Sequence, residues 1–372
     1  MAESNKLSLV EFWKAIAIAT AIVAVFATIF VWSGFYNVSA QKPHFEVTTW
    51  LLAQIRRQSI QYQSNSVPPA PDNLDDAELV TLGAVQYQLG CAACHKAPGW
   101  TGSRVGDAML PAPPPLTWVS EKWSPRELFW IVRNGQKYTG MPAWIAYERE
   151  DEVWPLVAFL ERLPSLGPDE YRRLTSDRSS TPGFSLSTGR AVIEVCARCH
   201  GLPGEPPRSN LVPFLSAQSA SYLRRSLEEY QSGTRPSGYM ELVASGLDDT
   251  TMDALTEVYA AAPPPAPAGE ASEDVSRGAK IFSAGLPGQN VPSCAACHTA
   301  ANPQFPQLAG QTTVFLSTQL QVFRKGIRNG SGYGRIMTTI AERMTDADID
   351  AVSAYLSTLP PGMFGTGSES AP

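Results

Sequence analysis

A long apolar stretch lies near the amino terminus, from Ala15 to Phe35, and contains no charged residue. About 20 such residues in a helix cross the hydrocarbon core of a bilayer. The stretch is longer than the apolar part of a cleavable signal peptide, which has about 7–15 residues. We therefore predict a retained membrane anchor over 1–36, with a signal peptide cleaved at Val38-Ser39-Ala40 as the alternative.

The segment 37–76 combines apolar and charged residues after the anchor. Trp50 and its apolar neighbours alternate with Arg56 and Arg57 in a pattern typical of an amphipathic helix. Such a helix either lies at the membrane surface or packs on the first domain or on a partner subunit. Ser64–Asp76 is rich in proline and small polar residues, so we predict a linker there.

Apolar residues then recur at helical spacing in three segments, each of which ends in an amphipathic helix. Pro263–Asp274 is rich in proline and alanine and predicts a stiff linker. We place the domains at 77–166, 184–262 and 275–359, with a disordered tail over 360–372. The pattern favours an all-α fold, in which one N-terminal transmembrane helix is followed by three helical domains.

The stretches that begin at Pro213 in the second domain and at Pro306 in the third match each other without a gap and indicate an internal duplication. Asp248 and Thr345 precede acidic first turns of their closing helices, as N-caps do. The first domain is different because it holds six of the nine tryptophans, including Trp144. The matched pairs include Pro213/Pro306, Gln218/Gln311, Leu223/Leu316, Tyr230/Phe323 and Arg235/Arg328.

All six cysteines occur in three Cys-x-x-Cys-His motifs, one near the start of each domain. Two thiols on one helical turn can attach haem through its two vinyl groups, and the adjacent histidine can bind the iron. A zinc site would need a fourth good ligand, and a structural disulfide would not need the histidine. We therefore predict three covalently bound haem c groups, attached at Cys91, Cys94 and His95, at Cys196, Cys199 and His200, and at Cys294, Cys297 and His298.

A methionine in a glycine-containing loop lies well downstream of each motif and precedes the closing helix. We predict that these methionines are the second axial iron ligands, opposite His95, His200 and His298; they are Met141, Met240 and Met337. Met252 and Met344 fall on apolar helix positions, so we predict that they are core residues. For Met109 the sequence does not distinguish a core residue from an iron ligand.

Each histidine also needs an acceptor for its other ring nitrogen. The backbone carbonyls of Pro213 and Pro306 are candidates in the second and third domains. In the first domain the sequence leaves Pro114 and Pro115 open.

Two axial ligands leave no open position on the iron, so we predict electron transfer and no catalytic residue. The alternative is a haem enzyme, either peroxidase-like or a sulfur-compound oxidoreductase subunit, which would need one labile ligand. His44 is the remaining histidine, and we interpret it as a solvated residue rather than a ligand or quinone-site residue. The net charge of −6 argues against a nucleic-acid partner.

The third domain contains a group of four basic residues, Arg324, Lys325, Arg328 and Arg335. They either dock an acidic partner protein or pair with groups within the molecule. The match of Arg328 with Arg235 favours the intramolecular role for that pair.

These motifs resemble known families. The second and third domains, with "CARCHG", "G-x-R" and "M-x-x-[IV]-A", are similar to dihaem cytochromes of the c4 type, in which two class I cytochrome c folds pack face to face. The first domain, with "GMPAW" and "VWPLVAFLERLP", resembles monohaem cytochrome c domains fused to membrane-bound electron-transfer subunits. The resemblance implies three class I cytochrome c domains.

The resemblance also implies a location and partners, because haem is attached to such proteins outside the cytoplasmic membrane. We expect a single-pass protein of the bacterial cytoplasmic (inner) membrane, with its haem domains in the periplasm. Its redox partners are then a quinol-oxidising complex or a periplasmic dehydrogenase as donor and a terminal oxidase as acceptor.

Overall fold

The computed structural model describes residues 9–175, 189–266, 275–299 and 301–363. These residues form helices and turns with two isolated β-bridges, and they contain no β-strand. The all-α class is therefore confirmed. The predicted start of the second domain at 184, most of the second linker and the tail beyond 363 lie outside the described residues.

The amino-terminal helix α1 spans Leu9–Trp32 and buries none of its residues within the molecule. Its mean hydropathy of 2.5 and its 24 residues make it long and apolar enough to cross a membrane. It begins earlier and ends earlier than the predicted apolar stretch. Thr20 and Thr28 donate their hydroxyl protons to carbonyls one turn back, so α1 carries these polar groups without unmet hydrogen bonds.

Helix α2 spans Glu46–Gln63, and its two ends differ in exposure to solvent. Ile60, near its end, is buried in the core of the first domain, whereas Val47 and Trp50, near its start, are exposed. The helix therefore packs on the first domain through its carboxy-terminal part. This outcome supports the packing alternative for that part of the helix.

The predicted linker after α2 is wrong over its first residues. Val67 is 4% exposed and belongs to the core of the first domain. Arg126 donates hydrogen bonds to the carbonyls of Asn65, at 2.8 Å, and Val67. The sequence pattern missed this contact because proline and small polar residues surround Val67. The buried Val67 side chain and the hydrogen bonds from Arg126 hold this segment against the first domain.

The first domain is built on two helices that cross at a glycine. Gly83 lies so close to the partner helix that a Cβ atom there would be 1.9 Å from the carbonyl oxygen of Pro155. Tyr87 and Phe159 fill the core beside this crossing. The helices of this domain are α3 (Ala77–Gly90), α4 (Ala92–His95), α5 (Arg104–Asp107), α6 (Val119–Lys122), α7 (Pro125–Asn134), α8 (Val153–Arg162) and α9 (Pro168–Thr175).

The second and third domains each contain four helices, and the last three helices have the same order and contacts in both domains. Asp248 and Thr345 accept hydrogen bonds from backbone N–H groups in the first turn of the closing helices, which confirms both predicted N-caps. The second domain contains α10 (Gly189–His200), α11 (Ala220–Gln231), α12 (Met240–Ser245) and α13 (Asp249–Ala261). The third contains α14 (Val275–Ala284), α15 (Thr313–Arg324), α16 (Gly332–Ala341) and α17 (Asp346–Thr358).

These two domains pack directly against each other despite the proline-rich linker between them. The Gln311 side chain donates to the carbonyl of Phe214 at 2.9 Å, and the Gln218 side chain donates to the carbonyl of Gln307 at 2.8 Å. Gln218 and Gln311 occupy matched positions of the duplication, as do Phe214 and Gln307. The interface therefore has approximate two-fold symmetry, with each bond repeated from the other side.

Candidate haem sites

Each histidine of the three motifs is held by a proline carbonyl. A carbonyl oxygen accepts but does not donate, so Nδ1 carries the proton and Nε2 keeps its lone pair for a metal. The expected partners Pro213 and Pro306 are confirmed, and Pro114 is selected over Pro115. The Nδ1–oxygen distances are 2.9 Å for His95 and Pro114, 2.8 Å for His200 and Pro213, and 3.0 Å for His298 and Pro306.

The surroundings of these histidines keep them neutral. Burial lowers the pKa of each ring by more than the hydrogen bond to the proline raises it. For His200 the nearby Arg235 guanidinium lowers the pKa further. Neutral imidazole is the form that binds a metal, so proton loss need not accompany ligation.

Four of the six cysteines, all of them partly buried, have thiols with raised pKa values. Burial is the main cause of raised pKa values, which are about 12 for Cys91 and Cys199 and about 11 for Cys196 and Cys294. A redox dithiol or a zinc site depends on thiolates whose pKa is lowered. Moreover, among the described residues no three His, Cys, Asp or Glu side chains converge in a group that could hold a metal ion. The raised pKa values disfavour a redox dithiol at these four cysteines.

The structure corrects the local setting of two predicted ligands. Met240 is the first residue of α12, and Met337 lies inside α16, so neither is in a loop. Met141 does lie in a loop, where its N–H bonds to the Thr139 hydroxyl at 3.1 Å and its carbonyl accepts from the N–H of Gln136 at 3.1 Å. The glycines before Met240 and Met337 shape the turn that leads into each helix, which the sequence pattern read as a longer loop.

One cavity of about 390 Å³ connects the second and third sites. Its lining includes both cysteines, the histidine and the methionine of each of the two domains, so each predicted ligand pair faces a shared space; these residues are Cys196, Cys199, His200, Met240, Cys294, Cys297, His298 and Met337. The corresponding residues of the first domain do not line this cavity. There Met141 and Cys91 pack against the first-domain core.

Two cations, the buried Arg235 and the half-buried Arg328, lie in the wall of the cavity. Arg235 and Arg328 form no ion pair within the part of the chain that the structure describes, although Arg235 lies over the Tyr230 ring and Arg328 over the Phe323 ring. Burial and then the Arg235 charge lower the pKa of Arg328 to about 9. Unpaired buried cations are costly unless an anion accompanies them. The carboxylates of a haem are suitable anions, so these residues fit the group that the cysteine motifs imply.

Two residues of the basic cluster in the third domain have partners within the molecule. Arg324 pairs with Asp346 at 2.6 Å, and Arg328 donates a hydrogen bond to the Gln319 side chain. These contacts favour the intramolecular role for both residues. Met252 and Met344 are 0% and 5% exposed, which confirms both as core residues.

Comparison with known proteins supports the same chemistry. A family model described as "Cytochrome C oxidase, cbb3-type, subunit III" matches residues 78–160, and one described as "Cytochrome c" matches residues 275–360. The thiosulfate dehydrogenase electron acceptor of Stutzerimonas stutzeri (strain A1501) is 34% identical over 212 residues, which are 55% of this chain and 94% of that protein.

Cytochrome c4 of Pseudomonas aeruginosa is 30% identical over 179 residues, 46% of this chain and 88% of that protein. The solved structure of Acidithiobacillus ferrooxidans cytochrome c4 is 33% identical, with a TM-score of 0.41 over 44% of this chain and 98% of that one.

A cysteine pair and a carbonyl-held histidine that recur in small helical domains define a c-type cytochrome, a class of protein that binds haem c covalently and transfers electrons. The chain belongs to the multihaem c-type cytochromes and is similar to cytochrome c4 and to the thiosulfate dehydrogenase electron acceptor.

Proposed function

We propose that this protein is a membrane-tethered electron relay with three haem c groups, one in each of the domains at 77–166, 184–262 and 275–359. Haem c, when bound, supplies a one-electron Fe(III)/Fe(II) couple. The cysteines of each motif hold the group covalently. His95, His200 and His298 and the methionines Met141, Met240 and Met337 would bind its iron.

The shared cavity of the second and third domains is the main support for a relay. Two ligand sets that line one cavity would place two redox centres close together. The paired hydrogen bonds of Gln218 and Gln311 hold the two domains in this arrangement. The proline carbonyls make each histidine a stronger ligand, because Nδ1 donates to them.

The haem content tests the proposal most directly. The alkaline pyridine spectrum, referred to protein concentration, should give three haems per chain in the full-length protein. Replacing Cys294 and Cys297 by serine should leave two, and the matched replacement of Cys91 and Cys94 should also leave two. A wild-type value below three would contradict the assignment of one of the sites.

Carbon monoxide separates the relay from the haem-enzyme alternative. If every iron has two protein ligands, the reduced protein should not bind carbon monoxide rapidly. Rapid binding at one haem would identify an open position and favour an enzyme.

We further propose that the protein is fixed to the bacterial cytoplasmic membrane by α1 and carries its haems in the periplasm. The exposed apolar surface of α1 supports this placement, since none of its residues is buried within the protein. Full-length protein should resist alkaline extraction from membranes, whereas a variant in which a cleavable signal peptide replaces residues 1–36 should be released. Release of both would instead support removal of the helix as a signal peptide.

We also propose an electron donor and an electron acceptor for the relay. A quinol-oxidising complex or a periplasmic dehydrogenase would reduce the relay, and a terminal oxidase would reoxidise it. The 34% identity to a thiosulfate dehydrogenase electron acceptor specifically favours a donor that oxidises sulfur compounds. Reduction by thiosulfate with a thiosulfate dehydrogenase should then be faster than reduction by quinol with a quinol-oxidising complex, and the reverse order would favour the respiratory donor.

A further inference from the structure

The first and second domains meet through the segments that carry their predicted axial methionines. Trp144 lies three residues after Met141, and Tyr239 lies immediately before Met240. The Trp144 and Tyr239 rings are in edge-to-face contact, with centroids 4.9 Å apart and an interplanar angle of 67°. Such aromatic pairs contribute about 0.5–1.5 kcal/mol beyond the area they bury.

The backbone beside Tyr239 fits closely against the same tryptophan. A Cβ atom at Gly238 would lie 2.3 Å from Cε2 of Trp144 and 2.6 Å from its Nε1. Real Cβ atoms do not approach another atom so closely, so only glycine permits this contact without displacement of the indole ring. The glycine therefore determines how near the two domains can come.

The buried ion pair of Arg149 and Glu152 in the first domain forms hydrogen bonds with residues 236–238 of the second domain. Glu152 accepts hydrogen bonds from the Ser237 hydroxyl at 2.7 Å and from the N–H of Gly238 at 2.6 Å. Arg149 donates to the Pro236 carbonyl at 2.8 Å and pairs with Glu152 at 2.9 Å. Arg149 is 6% exposed and Ser237 is 3% exposed, so water competes little for these bonds.

The positive charge of Arg149 is stable in this contact, whereas burial raises the pKa of the Glu152 carboxyl. Burial alone would lower the pKa of Arg149, but the Glu152 and Asp151 carboxylates outweigh it and raise the pKa above its ordinary value. Arg149 is therefore cationic whenever the protein is folded. A charged group with five fixed donors holds its acceptors in one geometry, which makes this a rigid contact between the domains.

The Tyr239 ring packs against the first-domain core, as Trp144 does, although Tyr239 belongs to the second domain. The two rings are therefore part of one apolar cluster that includes residues of both domains.

The contact contains two donors that the described residues leave without an acceptor. Nε1 of Trp144 and the hydroxyl of Tyr239 are both inaccessible to solvent, and neither has a hydrogen-bond partner among the residues that the structure describes. A buried unsatisfied donor costs about 1–3 kcal/mol. Haem carboxylates are acceptors of the right chemistry, so the contact is suited to the haem-loaded protein.

We propose that the Trp144–Tyr239 contact is the fixed junction that couples the first haem site to the second, on the methionine side of both domains. This inference rests on the proposed relay function. One electron leaves the Fe(II) of one site, which becomes Fe(III), and reduces the Fe(III) of the other to Fe(II). No bond forms or breaks and no proton moves.

Two variants should open the junction. Gly238→Ala introduces the methyl group that collides with the indole, and Trp144→Leu removes the indole. In the full-length, haem-loaded protein, electron equilibration after flash photoreduction should lose its fast, concentration-independent phase between the first and second haems. Hydrogen exchange at the backbone N–H groups of 237–239 should become faster, while the haem content stays at three per chain.

Trp118→Leu is the matched control, since Trp118 is a half-exposed tryptophan of the same domain outside the junction. It should keep the fast phase and slow exchange. Tyr239→Phe should also keep both, because the ring contact remains. If Gly238→Ala or Trp144→Leu fails to load haem, Glu152→Gln opens the same contact from its polar side and should give the same loss.

Persistence of the fast phase in variants whose exchange shows an open junction would overturn the inference while leaving the relay intact. A haem content below three per chain, or rapid carbon monoxide binding, would instead contradict the proposed function itself. The two failures are therefore distinguishable in one set of samples.

Discussion

The side-chain amide of Gln218 forms two hydrogen bonds with the backbone of Gln307 across the interface of the second and third domains. Its Nε2 donates to the Gln307 carbonyl at 2.8 Å, and its Oε1 accepts from the Gln307 N–H at 2.9 Å. Gln307 directly follows Pro306, whose carbonyl holds His298. The interface is thus bonded to the loop that positions a predicted iron ligand.

Gln218→Ala should weaken this interface by more than Gln311→Ala does. The first change removes two buried hydrogen bonds and the second removes one, and each neutral bond contributes about 0.5–1.5 kcal/mol. We expect a loss of about 1–3 kcal/mol in the free energy of unfolding for Gln218→Ala, measured by denaturant titration of the haem-loaded protein. Equal effects of the two variants would contradict the two-bond geometry.

Met240→His should lower the reduction potential of the second haem. A thioether ligand favours Fe(II) relative to a second imidazole, so its replacement shifts the potential downward. Spectroelectrochemical titration measures the three potentials. Met252→Leu is the matched control, since Met252 is fully buried in the core of the same domain and its replacement should leave the potentials unchanged. An unchanged potential in Met240→His would show that Met240 is not the ligand.

Asp348 should make the third domain sensitive to acid. Burial by itself would raise the pKa of Asp348, but hydrogen bonds from Thr345 and Arg277 outweigh it and lower the pKa from 3.8 to about 2. The stabilisation is therefore complete above about pH 4 and disappears as the pH falls through about 2. Asp348→Asn should reduce the free energy of unfolding by about 2 kcal/mol at pH 7 and have no effect near pH 2.

Asp350→Asn is the control for this change. Asp350 lies on the same helix but is exposed, so its replacement should leave the acid transition unchanged. A pH-independent effect of Asp348→Asn would mean that packing rather than the ionised carboxylate is responsible.

The helix crossings of the first and third domains should not tolerate a methyl group. A Cβ at Gly83 would lie 1.9 Å from the Pro155 carbonyl oxygen, and one at Gly278 would lie 2.1 Å from that of Ala351. Overpacking of this kind costs about 1–3 kcal/mol. Gly83→Ala and Gly278→Ala should lower the thermal midpoint, whereas Gly90→Ala, with nothing within 4 Å of the new atom, should not. Midpoints from circular dichroism compare the three.

Much of the candidate site followed from local patterns. The cysteine spacing, the histidine beside it and the matched prolines were all visible in the chain, because thioether attachment and the proximal hydrogen bond depend on short or repeated segments. The helical periodicity likewise predicted the closing helices and their caps at Asp248 and Thr345. The assignment of Met240 and Met337 to loops failed, because a short helix after a glycine turn has the same composition as a loop.

Contacts between distant parts of the chain were beyond such patterns. In the structure, the Pro114 carbonyl rather than that of Pro115 accepts the hydrogen bond of His95, and Val67 is buried in the core of the first domain. Trp144 of the first domain contacts Tyr239 of the second. Periodicity and spacing report what neighbouring residues do together, so they specify the haem motif and each helix separately. The relative placement of domains depends instead on shape and charge complementarity between residues far apart in the chain, as at Gly238 and Glu152, and it arises only when the whole molecule packs.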